Sequence, residues 1–186
     1  MSRKLSPIPA EMKPENITAI IDTREWACHQ NDPDYLPLEL SLPWEKGTLE
    51  CGDYSIVGLE HELTIERKAF GDFLACVGAE RDRFEKCVQR MKAYPFRCIL
   101  IETTMPLIEQ GLDPRTRCPW RSKVTPAAAV AAVRAWGLKV GVCLCGNHQR
   151  AGVEASEMLR LAAQNRWKMS RRMFSRLDAA EVKVDG

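Results

Sequence analysis

The residues best suited to chemistry in this chain lie in LTIERKAFGD, positions 63–72. A run that begins apolar ends in Glu66, Arg67 and Lys68, and Asp72 follows four residues after Lys68. It reads either as a strand passing into solvent before a helix, or as a metal-dependent active site at a strand end. Strand alternation places Thr64, Glu66 and Lys68 on one face and Leu63, Ile65 and Arg67 on the other. A carboxylate and an ammonium two residues apart therefore aim at one point in space. Hard oxygen ligands suit magnesium, which binds through one or two carboxylates together with substrate phosphate oxygens. Asp53, beside Gly52 at a bend thirteen residues before Glu66, is placed to supply the second carboxylate. Such a metal polarises a phosphate and activates water, while Lys68 orients that water or stabilises developing charge.

The elements that must position these groups are legible as apolar runs. ITAIID, residues 17–22, reads as a buried strand ending at Asp22. Trp26 to Trp44 reads as mostly loop, with HQNDPD and further prolines. KGTLECGDYSIVG reads as a strand pair bent around Gly52 and Asp53, and HELTIERK as a third strand closing the meander. Phe70, Phe73, Leu74 and Val77 keep helical spacing up to Gly78, and Phe84, Cys87, Val88 and Met91 repeat it before Tyr94-Pro95. RCILIE is a further buried strand, and Thr103 to Lys123 a basic, proline-containing loop. TPAAAVAAVRAW is a helix with Thr125 as N-cap and Pro126 at its first position. LKVGVCLC reads as a strand and GVEASEMLRLAAQNRW as the last long helix. The expected fold class is α/β, a central mixed sheet flanked by helices on both faces. The expected organisation is a flexible leader over 1–15, one domain over 16–168 and a basic tail over 169–186. No Gly-rich strand-to-helix turn or phosphate-binding loop is present, which argues against a dinucleotide- or nucleotide-triphosphate-binding fold.

At 186 residues the chain is long enough to bury a core without covalent staples. The eight cysteines are mostly isolated within apolar stretches and read as reduced thiols of an intracellular protein. Cys143, Cys145 and His148 hint at a metal cluster, but no second cysteine pair lies near, so strand core is the favoured reading. No apolar run approaches the roughly 18 residues of a membrane span, and the first residues lack a signal-peptide core. Net charge is only +2, yet residues 15–66 hold twelve acids and two bases. The excess of base lies elsewhere, in Arg81–Arg97, Arg115–Lys123 and Arg160–Arg176. An acidic half carrying metal-ligand types, flanked by basic stretches, suits a phosphodiester substrate.

GDY followed by IERKAFGD resembles the GD…ERKxxxD signature of the XPF-type structure-specific endonucleases, a branch of the restriction-endonuclease-like fold. IDTRE, residues 21–25, is similar to the family's opening V/I-D-x-R-E strand, and RDRFEKCVQRMKAYPFRCILIE matches its helix, stop and following strand. The resemblance implies Asp53 and Glu66 as metal ligands and Lys68 as the base-like catalytic residue. Asp22 would stand at the edge of the same acidic cluster. Asp72 would bind metal, hold Arg67 and Lys68, or serve only as an acid at a helix N-terminus. Arg24 and Arg67 would contact DNA phosphate or hold the acids in place, and Arg83 would contact phosphate. Glu25 and Glu102 match family positions without an assigned role, and His29, His61 and His148 read as surface or loop residues.

The implied activity is magnesium-dependent endonucleolytic cleavage of DNA, with manganese as a substitute metal. Cleavage would fall near single-strand to double-strand junctions such as flaps, forks and recombination intermediates, leaving a 5′-phosphate and a 3′-hydroxyl. The implied partners are branched DNA and a second subunit. That subunit would be a copy of this chain, joined through the helix from Val153 to Trp167, or a DNA-binding protein. The tandem helix-hairpin-helix modules and helicase segment of full-length relatives are not apparent, which suits a cytoplasmic protein of a bacterial or phage-infected cell. Two rival readings are a non-catalytic DNA-binding subunit and a sequence-specific restriction-like nuclease. Degenerate subunits lose the GD or ERK acids, and this chain retains them.

Overall fold

A computed structural model of the chain describes residues 16–26 and 36–181. The sheet is built from β1 (Ala19–Asp22), β2 (Trp44–Gly47), β3 (Tyr54–Ile56), β4 (Leu63–Lys68), β5 (Phe96–Ile101) and β6 (Val142–Leu144). Their spatial order is β2-β1-β3-β4-β5-β6. β1 runs parallel to β2 and antiparallel to β3, β3 is antiparallel to β4, and β4, β5 and β6 are mutually parallel. The helices are α1 (Phe70–Val77), α2 (Arg81–Met91), α3 (Met105–Gln110), α4 (Pro126–Val140) and α5 (His148–Glu181).

Alternation along the strands feeds two apolar layers, one on each face. Ile21, Tyr54, Ile56, Leu63, Ile65 and Leu100 pack with Ala151, Ala155, Leu159 and Ala163 of α5. On the opposite face Ile99 and Ile101 pack with Phe73 of α1, Phe84 and Val88 of α2, Ile108 of α3 and Trp136 of α4. Leu63 and Ile65 thus point toward α5, as the period of two requires, and leave Thr64, Glu66 and Lys68 to the other side. Helices cover both faces of a mixed sheet, the α/β architecture expected from the sequence.

Several elements differ from the sequence reading. β2 does not pair with β3, so no hairpin bends around Gly52 and Asp53; β1 lies between them. β2 is an edge strand with Trp44, Glu45 and Lys46 exposed, so no buried alternation marks it. Lys46 Nζ lies 3.9 Å from the Trp26 ring centroid, and Trp26 and Trp44 approach to 5.6 Å. The loop expected over Thr103–Lys123 contains α3, whose Pro106 sits in its first turn. Most of LKVG belongs to α4, which ends where Gly141 adopts a positive φ of 81°. The last helix starts earlier than expected, where Asn147 Oδ1 accepts from Arg150 N at 2.9 Å. It continues through the expected tail to Glu181. The N-terminal leader, most of the HQNDPD loop and the last five residues lie outside the described residues. Thr125 caps α4 as expected, accepting from Ala128 N at 3.2 Å.

α5 is tied down by the segment that leads into β2. Ser41 N donates to Ser156 Oγ at 3.0 Å, and Arg160 donates to Ser41 O at 2.9 Å. A Cβ on Gly152 would lie 2.3 Å from Glu39 O, so glycine is what lets the two backbones approach. Gly152→Ala is therefore expected to cost about 1–3 kcal/mol, as other overpacking changes do, and to lower the midpoint of urea unfolding.

Candidate active site

The site forms where β4 leaves the sheet. Glu66 and Arg67 are buried and Lys68 is half-buried, at the last three positions of the strand. Lys68 Nζ donates to Glu66 Oε1 at 2.6 Å and to Arg67 O at 3.0 Å. Its ammonium also lies 5.4 Å from the Phe84 ring centroid. Burial works against this charge, but Glu66 and then Asp53 outweigh it and hold Lys68 above the ordinary lysine value.

Asp53 reaches the strand through a close backbone approach rather than a hairpin. Gly52 has φ of 78°, and a Cβ there would fall 2.1 Å from Thr64 Oγ1 and 2.9 Å from Ile65 O. Only glycine fits, in both conformation and space. Thr64 Oγ1 donates to Cys51 O at 2.9 Å, and Asp53 N donates to Ile65 O at 2.8 Å. Arg67 N then donates to Asp53 Oδ2 at 2.7 Å. The carboxylate is thereby fixed beside Glu66. Burial, and next the Glu66 charge, push Asp53 well above its ordinary value.

Arg67, on the opposite face of β4, is a structural centre. Its Nε donates to Glu102 Oε1 at 2.7 Å, its Nη1 donates to Leu36 O at 3.2 Å and lies 3.5 Å from Glu25 Oε2, and its Nη2 meets His148 Nδ1 at 3.1 Å. His148 Nδ1 also lies 3.1 Å from Glu102 Oε1, and Tyr54 OH donates to Glu25 Oε2 at 2.8 Å. Of the two roles open to Arg67, the geometry places it with the acids. His148, read from sequence as a surface or loop residue, joins this network from the first turn of α5. A lone histidine after a strand gives no such signal; neither did Glu25 or Glu102, whose partners are set by the fold.

Asp22 is fully buried and its carboxylate is taken up by protein donors. Oδ1 accepts from Arg24 N at 2.8 Å and Nε at 2.6 Å, and Oδ2 accepts from Leu49 N at 2.7 Å and Arg24 Nη2 at 3.1 Å. Burial acts to raise its pKa, but these bonds, those of the Arg24 side chain foremost, hold it below the ordinary value. Arg24 further donates to Leu49 O at 3.0 Å and Gly52 O at 3.4 Å. The pair braces the turn that delivers Asp53. Asp72 sits half-buried in the first turn of α1, and Arg83 is exposed and paired with Glu80.

Of the four carboxylates expected from sequence, Asp53 and Glu66 lie close enough to interact electrostatically, and that of Asp22 is engaged by Arg24 and Leu49. Among the described residues no group of three His, Cys, Asp or Glu is gathered to hold a metal. Two hard carboxylates still fit magnesium, which takes its remaining ligands from water and phosphate. No donor among the described residues reaches Asp53 Oδ1. Glu66 Oε2 accepts the Cys87 thiol, at 3.5 Å, and no other donor among the described residues. Cys51 and Cys87 are free thiols of the apolar layer behind the site, and the Cys87 thiol beside it lowers Cys51 to about 7.

Two outcomes follow for purified protein. Arg67→Ala leaves Glu25, Glu102 and His148 around an uncompensated void and is expected to cost about 3–5 kcal/mol, measured by denaturant unfolding. Asp53 has a higher pKa folded than unfolded, so its ionised form costs stability at every pH above about 4. In EDTA, Asp53→Asn should melt no lower than the unsubstituted protein. Added magnesium should raise the melting temperature of the unsubstituted protein and leave that of Asp53→Asn unchanged.

No curated protein matches the sequence. Among solved structures the chain is similar to XPF from Aeropyrum pernix, with a TM-score of 0.54 and 18% identity over 78% of this chain. A second structure, of the same protein in complex with DNA, matches with a TM-score of 0.54 and 18% identity over 80% of this chain. The chain covers 61% and 66% of those two chains, so it spans less than two thirds of their length. The family model of the ERCC4 domain matches residues 21–142, from the end of β1 to the start of β6, and so takes in Asp53, Glu66 and Lys68. With this match over most of its length, the chain belongs to the ERCC4 domain family.

Proposed function

We propose that the chain is a magnesium-dependent DNA endonuclease that hydrolyses phosphodiester bonds near single-strand to double-strand junctions, in DNA repair or recombination. One observation carries the reading. Asp53 and Glu66 converge at the end of β4 beside a lysine that is 2.6 Å from Glu66 Oε1, within the ERCC4 domain. The XPF structure solved with DNA lends support by fold.

Asp53 and Glu66 would hold magnesium, or manganese in its place, and a bound metal would supply Lewis-acid activation of the scissile phosphate and of water. Asp53 is kept in place by the Arg67 amide and by the Gly52 turn. Lys68 keeps its proton beside two carboxylates and offers a cation to the charge that builds on the phosphate during in-line attack. Arg24, with its side chain 62% exposed, is placed to meet a neighbouring phosphate while it braces Asp22. Arg83 stands exposed near the same edge as a further phosphate contact. The residues that would let two copies associate lie along α5. Within the stretch from Val153 to Trp167, Val153 and Leu161 are exposed apolar residues suited to helix packing.

The test uses labelled flap, fork and linear duplexes incubated with magnesium or with EDTA. Cleavage of the branched substrates should require magnesium and disappear in Asp53→Ala and Glu66→Ala, while Lys68→Met should lose about 10²–10³-fold in rate. Inactivity on every substrate, or full activity in both carboxylate variants, overturns the assignment.

A further inference from the structure

We infer that a cavity directly beyond Lys68 is a subsite for one unpaired nucleobase, which seats the single-stranded arm of the DNA next to the bond to be cut. This rests on the nuclease reading above and adds where the unpaired strand is held.

The cavity has a volume of about 800 Å³, within the range of about 300–1,000 Å³ typical of ligand sites. Its inner wall is made where three parallel strands end. Ala69 and Phe70 follow Lys68 of β4, Glu102 follows β5, and Asn147 and His148 follow β6. Its outer wall is the loop of residues 113–121, closed at its base by the Leu112–Pro119 bridge. The catalytic lysine and the first residue of the wall are thus adjacent in the chain.

The lining chemistry fits a base and its phosphate. Phe70 and Trp120 pack against one another at a tilt of 56° with ring centroids 5.7 Å apart, and both line the cavity. The indole Nε1 donates to Val124 O at 2.9 Å, which fixes the ring as a rigid platform. Arg115 and Arg121 are exposed lining residues, suited to the sugar-phosphate backbone. The two lining acids are already engaged. Asp113 Oδ1 accepts from Arg115 N at 2.9 Å, Thr116 N at 2.8 Å and Thr116 Oγ1 at 3.2 Å. Glu102 is held by Arg67 and His148. Gln149 adds an amide able to donate to and accept from a base edge. A base enters such a recess only when it has left the helical stack, and aromatic stacking then holds it without regard to sequence. Paired duplex is excluded from the recess, whereas the first unpaired nucleotide of a flap or fork is not.

The test measures binding of fluorescent DNA by anisotropy in EDTA, where cleavage is off. The protein and its Trp120→Ala and Trp120→Phe variants are compared on a blunt duplex, a tailed duplex, and the tailed duplex with an abasic site at the first unpaired nucleotide. Trp120→Ala should weaken binding of the tailed duplex about tenfold and leave the blunt duplex unchanged, and Trp120→Phe should restore it. The abasic substitution should cost the unsubstituted protein a similar factor and cost Trp120→Ala nothing further. An equal loss on blunt and tailed DNA, additive losses, or no effect of the abasic site on the unsubstituted protein overturns the subsite. If magnesium-dependent cleavage persists in that case, the nuclease reading stands alone. If the unsubstituted protein neither binds nor cleaves any of these DNAs, both readings fall.

Discussion

The Arg67 guanidinium is the constraint around which the rest of this molecule is arranged. Its side chain is 4% exposed, too deep to be left without partners, since an uncompensated buried charge costs several kcal/mol. Its partners come from separate parts of the chain: Glu25 after β1, Leu36 before β2, Glu102 after β5 and His148 at the start of α5. Satisfying one guanidinium therefore fixes how α5 docks on the sheet and where the segment before β2 crosses it. The same residue's amide holds Asp53. A single position thus couples the packing of one face to the geometry of the carboxylates on the other.

On that other face the arrangement is electrostatically costly. Burial and the Glu66 charge work against an ionised Asp53, and Lys68 and the Arg67 amide oppose them. Asp22 shows the contrasting solution: a carboxylate at 0% exposure is rendered stable by four donors. The two acids near the first strands thus take opposite roles because one is saturated with hydrogen bonds and the other is not. An under-satisfied acid pair held by rigid backbone is the state a cation would relieve, and it is tolerated because Gly52 and Thr64 lock the turn from which Asp53 projects.

Much of this was legible before the fold was known. Alternation in β4 correctly separated Glu66 and Lys68 from Arg67, and Gly52 was correctly read as a residue that permits a bend at Asp53. Errors arose where burial, the source of any sequence pattern, was weak or ambiguous. β2 is exposed at an edge, so WEKG carries no period. α3 is only six residues long, too short for a helical stripe to emerge. In LKVGVCLC apolar residues at every second position suggested a strand. Yet Val140 is buried on the same stripe as Ala129, Val133 and Trp136, and that longer period decides the matter. Asn147 caps the next helix and sets the start of α5 at His148.

By itself the sequence determined the residue types available for chemistry, the faces of β4 on which they lie and the family to which their spacing is similar. Those are local properties, set by the two-residue period of a strand and the conformational freedom of glycine. Tertiary structure alone decided which acids meet. Asp22, Asp53, Glu66 and Asp72 are equivalent as carboxylates in the sequence, and only the crossing of β1, the Gly52 turn and β4 saturates the first and pairs the next two. It also decided that Arg67, His148 and Glu102 form one network, although 35 residues separate Arg67 from Glu102 and 81 separate it from His148. Partners that distant are chosen by burial and the need to neutralise charge out of water, and neither is written in a short motif.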